Sequence, residues 1–576
     1  MPFGYHGRCL WIDVTDGSVE RVALPDSLLR QFIGGSGLGA KLLVDAGQAD
    51  ADPLATTAPL IFAFSPFVGS PLTTSAKFAV VSKSPLTNRI NDSLASSGFA
   101  IAGKRCGCDA ICLTGRAVRL SVLIVDDGQV RLESAERLAG FTCAATEATL
   151  KTDLGGDFQI ASIGPAGERA VRYATISHDG RHAGRGGSGA VLGSKNIKAI
   201  AVRGTQRCDW AYPRQVTEYS KSLSKRSFGP ATAKYRELGT AANLLAFNRL
   251  GALPTRNFQQ GCFDQAHSIS AEHIRATYNR TRASCVACTI GCEHIYALGD
   301  SDGVRLEYES LFALGPLCGI ADADAVLRAS RRCDEIGIDT ISTGGTIAFA
   351  MECVERGWLD EPWLTFGSVE AVRQAIELVG RREGVGNLLS EGSRRVAEAI
   401  GHRSIDFAPQ VKGLEIPGYE PRALQTMALG FAVGSRGADH NRSGAYEVDF
   451  SDKVDRRHVT ADAVRYAIET EDKAALMDSL IICKFLRGVF EDFFAEAADM
   501  LRHVTGWAAT ADELRETAKR IVSTKRQFNV LAGWTPDEDT LPERFLNTPL
   551  PNDPEAFLSH DRLRSLVAEY HRQRGW

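Results

Sequence analysis

Three thiols fall within eight residues at Cys285-x2-Cys288-x3-Cys292. Soft sulfur ligands at that density suit a soft metal centre, either an iron-sulfur cluster or a zinc ion. A tetrathiolate site needs one more ligand, and the remaining cysteines are scattered along the chain. A second triplet, Cys106-x-Cys108-x3-Cys112, overlaps a run expected to form a strand, Ala110–Thr114. Alternation along a strand turns side chains to opposite faces, so this triplet is expected to pack rather than to ligate.

Two glycine-rich segments invite nucleotide chemistry. Gly35-Ser-Gly37-Leu-Gly39-Ala40 can be laid on a dinucleotide fingerprint, but that fingerprint follows a strand and Asp26–Phe32 reads as helix. A dinucleotide site is therefore not expected. Gly184-Arg-Gly-Gly-Ser-Gly-Ala-Val-Leu-Gly193-Ser-Lys195 resembles a phosphate loop, yet it lacks the Gly-Lys-Ser/Thr ending and its strand follows it. A Walker ATP site is not expected either. The segment can bring backbone N–H groups of residues such as Gly186, together with Arg185, up to a phosphate-bearing cofactor, or it can be a tight turn.

Asp334-Glu-Ile-Gly-Ile-Asp339 closes a helix expected over 322–336, on which Val326, Ala329, Cys333 and Ile336 form one stripe. Gly337 suits the left-handed residue after a helix end. Carboxylates are disfavoured at a helix C-terminus. A ligand with paired N–H donors, such as a pterin's amino-pyrimidine edge, would account for the pair; solvated helix-end acids are the alternative. Asp478-Ser-Leu-Ile-Ile-Cys483 repeats the spacing with cysteine last, which suggests two equivalent clamps. Glu309 and His440 could work as an acid–base pair if the fold joins them, and taken singly each is an ordinary surface or core residue.

A large chain must carry these residues: 576 of them, 44% hydrophobic and 24% charged, enough core for roughly three to four domains. A net charge of -4 without like-charge runs argues against nucleic acid and anionic membranes as partners. Residues 1–14 lack a basic start followed by an apolar stretch, so export is not expected and a cytoplasmic location is. Its 14 cysteines should then be reduced or metal-bound. The most apolar run, 58–68, is too short to span a bilayer and contains Ser65 and Pro66, so no membrane span is expected. Up to about residue 205 the chain reads as short β-rich runs (9–14, 60–64, 78–82, 110–114, 120–125, 161–163, 197–202), and from Pro213 as amphipathic helices. Gly413, Pro417 and Gly418 mark a further break at 411–419. The expected class is α+β: a β-sheet-rich cofactor-binding domain, 1–208, followed by two mainly α-helical domains, 209–413 and 414–576.

Taken in order, these segments resemble the tungsten-containing aldehyde:ferredoxin oxidoreductase family along nearly the whole chain. The likeness runs through Gly7-Arg8, Lys83-Ser-Pro-Leu-Thr87, Ala161-Ser-Ile-Gly-Pro-Ala-Gly167, Ala183-Gly-Arg-Gly-Gly187 and the cysteine run. It continues through Glu307-Tyr-Glu-Ser310, Asp334 to Thr340, Arg436 to His440, and Asp539-Thr-Leu-Pro-Glu-Arg-Phe545. The resemblance implies that family's fold, one [4Fe-4S] cluster on Cys285, Cys288, Cys292 and Cys483, and tungsten held by two pyranopterin dithiolenes without a protein ligand. Asp334, Ile338 and Asp339 would clamp one pterin and Asp478, Ile482 and Lys484 the other, with Arg436 and Arg442 near them. The Leu94 and Ala183 backbone carbonyls would help hold a Mg2+ that bridges the pterin phosphates. Three positions depart from the family: Lys77 for an arginine joining pterin and cluster, which turns a forked contact into a single-point one; Leu94 for asparagine; and Ile481 for the glycine of the second clamp.

The implied reaction oxidises an aldehyde to a carboxylic acid, with Glu309 orienting or deprotonating the attacking water and His440 donating a hydrogen bond to the carbonyl oxygen. One cluster passes electrons singly, and with the second cysteine triplet expected to pack and no nucleotide fingerprint, nothing in the sequence is expected to accept them. An external acceptor is therefore expected, docking near the 285–292 loop, and the resemblance implies ferredoxin or else a polyferredoxin-like subunit working with an FAD subunit that reduces NAD. Two other readings stand beside this one. The first is the catalytic subunit of a tungsten benzoyl-coenzyme A reductase; the second is a non-catalytic iron-sulfur or zinc electron-transfer or scaffold protein.

Overall fold

Period-two patterning in the first two hundred residues folds into two six-stranded sheets, stacked in a computed structural model that describes residues 2–299 and 301–576. The first sheet runs in the order Ser18–Ala23, Arg8–Asp13, Ala110–Thr114, Leu60–Ala63, Lys77–Lys83, Ile90–Ser96. The second runs Arg181–Ala183, Ile176–His178, Gln159–Ser162, Ile197–Arg203, Ser121–Asp126, Gln129–Ser134. Alternation decides what each side chain meets. Leu60, Phe62, Phe78 and Val80 face the second sheet and join Leu123, Val125, Ile200 and Val202 in the inter-sheet core. Ile61, Ala63, Ala79 and Val81 face the helix Gly35–Asp45 instead. A side chain of this kind, fully withdrawn from water, contributes about 1.5–3 kcal/mol.

The glycines of that helix are a packing device. A Cβ on Gly35 would lie 2.3 Å from the Asp478 carbonyl oxygen, and one on Gly39 2.5 Å from Val81 Cγ2. Their absence lets the helix sit between the first sheet and the end of the helix Val464–Leu480. Asp26–Phe32 is helical as expected, so no strand precedes the glycines. Cys106 and Cys108 enter the inter-sheet core while Cys112 joins Cys9 on the helix side, the splaying expected of that triplet.

From Pro213 onward most elements are helices. One exception matters for the site. The antiparallel strands Arg280–Ala283, Glu293–Leu298 and Ser301–Arg305 form a small sheet, and the Ala283–Glu293 pair closes the loop that carries Cys285, Cys288 and Cys292. The 411–419 segment, expected as a break between helical parts, contains a short hairpin, Gln410–Val411 with Leu414–Glu415, and is buried throughout rather than exposed as a linker. Among the described residues no single helix is long and apolar enough to cross a membrane.

Candidate active site

The two aspartate segments end their helices alike. Gly337 (φ 79°) caps the helix Ala323–Ile336, and Ile481 (φ 66°) caps Val464–Leu480. In the first, the N–H groups of Gly337 and Ile338 both donate to Cys333 O; in the second, those of Ile481 and Ile482 both donate to Met477 O. Each aspartate directly follows the accepting residue. The second segment thus keeps the left-handed turn although isoleucine stands where the first has Gly337. A β-branched residue there costs about 1–2 kcal/mol, but Ile481 is buried and its side chain packs against Gly35, which offsets that cost.

One expectation needs correction. Asp339 does not share a helix C-terminus with Asp334: it is the N-cap of the next helix, Thr340–Glu355, and accepts from the N–H of Ile341 (3.3 Å) and Ser342 (3.2 Å). Its charge sits at the favourable helix end. Only Asp334 lies at the unfavourable one, with His182 Nε2 3.5 Å away. Ile338 bridges Ala174 of the sheet-rich part, which ties this clamp to both regions.

Glu309 and His440 meet, Oε1 to Nε2 at 3.6 Å, from the helices Tyr308–Leu314 and His440–Ser443. Glu309 Oε2 accepts from the Gly418 N–H at 3.0 Å, so the buried 411–419 segment holds the carboxyl. Tyr419 stacks on the imidazole at 4.9 Å. Burial pushes the Glu309 carboxyl up to about 8, with the Gly418 N–H only partly opposing it. Burial likewise drives His440 down to about 3 against the pull of Asp439. At neutral pH the pair is mainly carboxylic acid and neutral imidazole.

Beside them lies a buried ionic chain that joins the expected Arg436, Arg442, Asp478 and Lys484 to two residues the sequence did not flag, Asp92 and Lys525. Asp92 Oδ2 sits 2.8 Å from Lys525 Nζ and 3.1 Å from Arg442 Nε, and Arg442 Nη1 reaches Asp478 Oδ2 at 3.0 Å. Lys484 Nζ lies 2.9 Å from Asp478 Oδ1. Arg436 and Arg442 both donate to the Asp92 carbonyl. Burial alone would raise the Asp92 carboxyl, but Arg442, Lys525 and Arg436 outweigh it and hold the group well below the usual carboxylate range. Lys484 is pushed down to about 8 by burial, with Asp478 opposing. Arg185 is engaged with protein partners: Ala438 O at 2.7 Å, Glu415 O at 2.6 Å and Asp339 Oδ2 at 3.3 Å. Gly186 (φ 81°) passes so close to Asn91 that a Cβ would lie 2.1 Å from its Oδ1. The strand bearing Leu94 is tied to the loop that follows Ala183, where the Ser93 hydroxyl donates to Arg185 O at 2.8 Å.

The four cysteines come together from two directions. Thr74 clips them: its N–H donates to Ala287 O at 2.6 Å, and its hydroxyl accepts from the Cys483 N–H at 3.2 Å. Cys483 lies near enough to Cys288 and Cys292 that burial first, and then its charge, raise both thiols, Cys288 to about 11. Among the described residues no three His, Cys, Asp or Glu side chains close on one point as a bound metal ion needs. Soft thiolates are nonetheless the donor type that an iron-sulfur cluster takes. Lys77 sits between this quartet and Asp478; burial opposes its charge, but Cys483, Cys285, Cys288 and Asp478 outweigh that.

Several buried polar atoms along this path, Asn91 Oδ1, Arg436 Nη2, Glu309 Oε1 and His440 Nδ1, have no hydrogen-bond partner among the described residues. Buried donors and acceptors are costly when unpaired. Their chemistry, with the two clamps, fits a large polar cofactor held between the helix ends. Asn91, Asp92, Lys525, Thr74 and Tyr419 were not singled out from sequence. Only the polarity of Asn91-Asp92-Ser93 inside a strand could have flagged any of them.

Residues 9–204 match the family model described as "Aldehyde ferredoxin oxidoreductase, N-terminal domain", and residues 216–576 match "Aldehyde ferredoxin oxidoreductase, domains 2 & 3". The chain is 35% identical over 596 residues to a tungsten-containing aldehyde ferredoxin oxidoreductase of Pyrococcus furiosus, covering 100% of this chain and 96% of the relative. It is 27% identical over 618 residues to the WOR-like subunit of an aliphatic sulfonate oxidoreductase from the same organism, covering 100% and 95%. Among solved structures, the active-site complex BamBC of benzoyl coenzyme A reductase with 1,5-dienoyl-CoA aligns with a TM-score of 0.84 at 22% identity, covering 100% of this chain and 95% of that one, a likeness of fold.

Proposed function

The chain belongs to the aldehyde ferredoxin oxidoreductase family, a family of oxidoreductases, and on that footing we propose that it oxidises aldehydes to carboxylic acids at a tungsten bis-pyranopterin centre. The observation that carries this reading is the Glu309–His440 contact of 3.6 Å beside buried polar atoms that have no hydrogen-bond partner among the described residues. The balance is RCHO + H2O → RCOO⁻ + 3 H⁺ + 2 e⁻. When bound, the tungsten centre supplies the two-electron sink. Asp334, Ile338 and Asp339 would hold one pterin, and Asp478, Ile482 and Lys484 the other. Leu94 and Ala183 carbonyls would serve Mg2+, and Cys285, Cys288, Cys292 and Cys483 one [4Fe-4S] cluster. Lys77, Arg185, Gly186, Arg436 and Arg442 would line the cofactor.

Glu309, once ionised, takes the proton of the attacking water. Neutral His440 keeps an N–H to donate to the substrate oxygen as charge grows there. Tyr419 on its face and Asp439, which N-caps its short helix through Asn441 and Arg442, fix the ring. A cluster held by Cys285, Cys288, Cys292 and Cys483 would supply a one-electron exit toward a ferredoxin or ferredoxin-like subunit. The test is anaerobic purification with metal analysis, followed by benzaldehyde and benzoyl-coenzyme A, each assayed with a viologen dye. Tungsten with aldehyde-dependent dye reduction is expected. Protein without tungsten or molybdenum, or turnover of the thioester alone, overturns the proposal.

A further inference from the structure

We propose that the surface over the cysteine quartet is the docking face for an acidic, ferredoxin-like electron carrier; this rests on the functional reading above and names where the electrons leave. The loop 284–292 does not stand alone. It abuts the stretch 225–238: Ser227 Oγ lies 2.6 Å from Thr289 Oγ1, Arg280 donates to Glu237 O at 2.7 Å, and Arg282 to Arg236 O at 3.4 Å. Tyr235 stacks at 4.2 Å on Phe485, two residues beyond Cys483, so the same stretch roofs the fourth thiol. Two large apolar side chains project from this roof, Phe228 at 56% and Val286 at 43% exposure. Val286 stands between Cys285 and Cys288.

Charge surrounds them. The stretches 225–238 and 280–292 hold six Lys or Arg and a single carboxylate, Glu237, in a chain of net charge -4. Arg226 is spoken for by Glu496 at 2.5 Å. Among the described residues the hydrogen-bond partners of Arg236, Arg280 and Arg282 are carbonyls, a hydroxyl and an imidazole, with no carboxylate among them. The Arg236 guanidinium lies 4.4 Å above the Phe228 ring and Lys234 4.9 Å above that of Tyr235. An apolar spot ringed by cations attracts an acidic partner from a distance and then admits close contact. That combination suits a carrier that must approach one redox centre and leave after each electron.

The test takes holoenzyme, an aldehyde, and two acceptors in parallel: benzyl viologen and an acidic bacterial two-cluster ferredoxin. The double variant Arg236→Glu/Arg282→Glu, and separately Phe228→Ala, are expected to raise the ferredoxin KM about tenfold at low salt while changing the viologen rate less than about twofold. Wild-type ferredoxin turnover is expected to fall as ionic strength rises from about 0.02 to 0.3 M. Unchanged ferredoxin kinetics in both variants, or a wild type that reduces viologen but not ferredoxin at any salt, overturns the docking face. A variant that alters oligomeric state assigns the face to a second copy and overturns it too. A wild type that fails with viologen as well overturns the functional reading beneath it, so the two failures are told apart.

Discussion

Glu309 is the group whose environment most sharply constrains the chemistry, and its pH dependence can be worked out in advance. With its carboxyl raised to about 8 by burial, about 1% of it is ionised at pH 6, about 9% at pH 7 and half at pH 8. If the ionised form takes the proton from water, kcat/KM climbs about tenfold from pH 6 to 7, about fivefold more to pH 8, and then levels. His440, lowered to about 3, stays neutral across that range and adds no limb. The stability sign runs the other way. A carboxyl raised from its unfolded 4.5 favours the folded state below that value, and the advantage is lost as pH rises through about 8. Glu309→Gln should therefore flatten the pH–stability curve between those limits while cutting turnover by about 10²- to 10⁴-fold at normal tungsten content. The assay is viologen-linked aldehyde oxidation from pH 5.5 to 9.5, with thermal unfolding over the same buffers. A wild-type rate flat from pH 6 to 8, or a fully active Glu309→Gln protein, refutes the role assigned to this carboxyl.

Three further outcomes are expected. Cys483→Ser should abolish the reduced cluster's low-temperature paramagnetic resonance as thoroughly as Cys288→Ser, because Thr74 brings both into one quartet; an unchanged signal removes Cys483 from the ligand set. Gly35→Ala drives a Cβ to 2.3 Å from the Asp478 carbonyl, so it should lower the melting temperature and the pterin content together, and normal values of both would contradict the packing described. Asp92→Asn leaves Lys525, Arg442 and Arg436 without their shared counter-charge and should cost about 3–5 kcal/mol in denaturant unfolding; a change below about 1 kcal/mol would mean that the chain carries no weight.

Repeating, local features could be read without coordinates. The strands through Leu60, Phe78 and Ile197 follow apolar runs, and the cap at Gly337 follows from a glycine behind an amphipathic stripe. What escaped was polar sequence in buried places. Ile90–Ser96 reads Ile-Asn-Asp-Ser-Leu-Ala-Ser, poor strand material alone; it is a strand because it pairs with Lys77–Lys83 along its whole length, and its buried Asp92 is matched by Arg442 and Lys525 from covering helices. The cysteine loop's supporting sheet was missed likewise: Arg280–Ala283 is short and half-exposed, and only its pairing with Glu293–Leu298 makes it a strand. Asp339 was placed at the wrong helix end because spacing cannot tell a last turn from the next N-cap. Meetings such as Glu309 with His440 join elements more than a hundred residues apart, which no local rule reaches.

The Thr74 clip also sets an order of manufacture. Three of the thiols leave the ribosome together, but Cys483 emerges about 190 residues later, which at 5–20 residues per second is a delay of about 10 to 40 s. During that interval the nascent chain presents a three-thiol loop without the fourth thiol of the proposed quartet. If the quartet holds a cluster as proposed, loading would wait until the last third of the chain has docked, so that clusters would be supplied to a nearly finished protein.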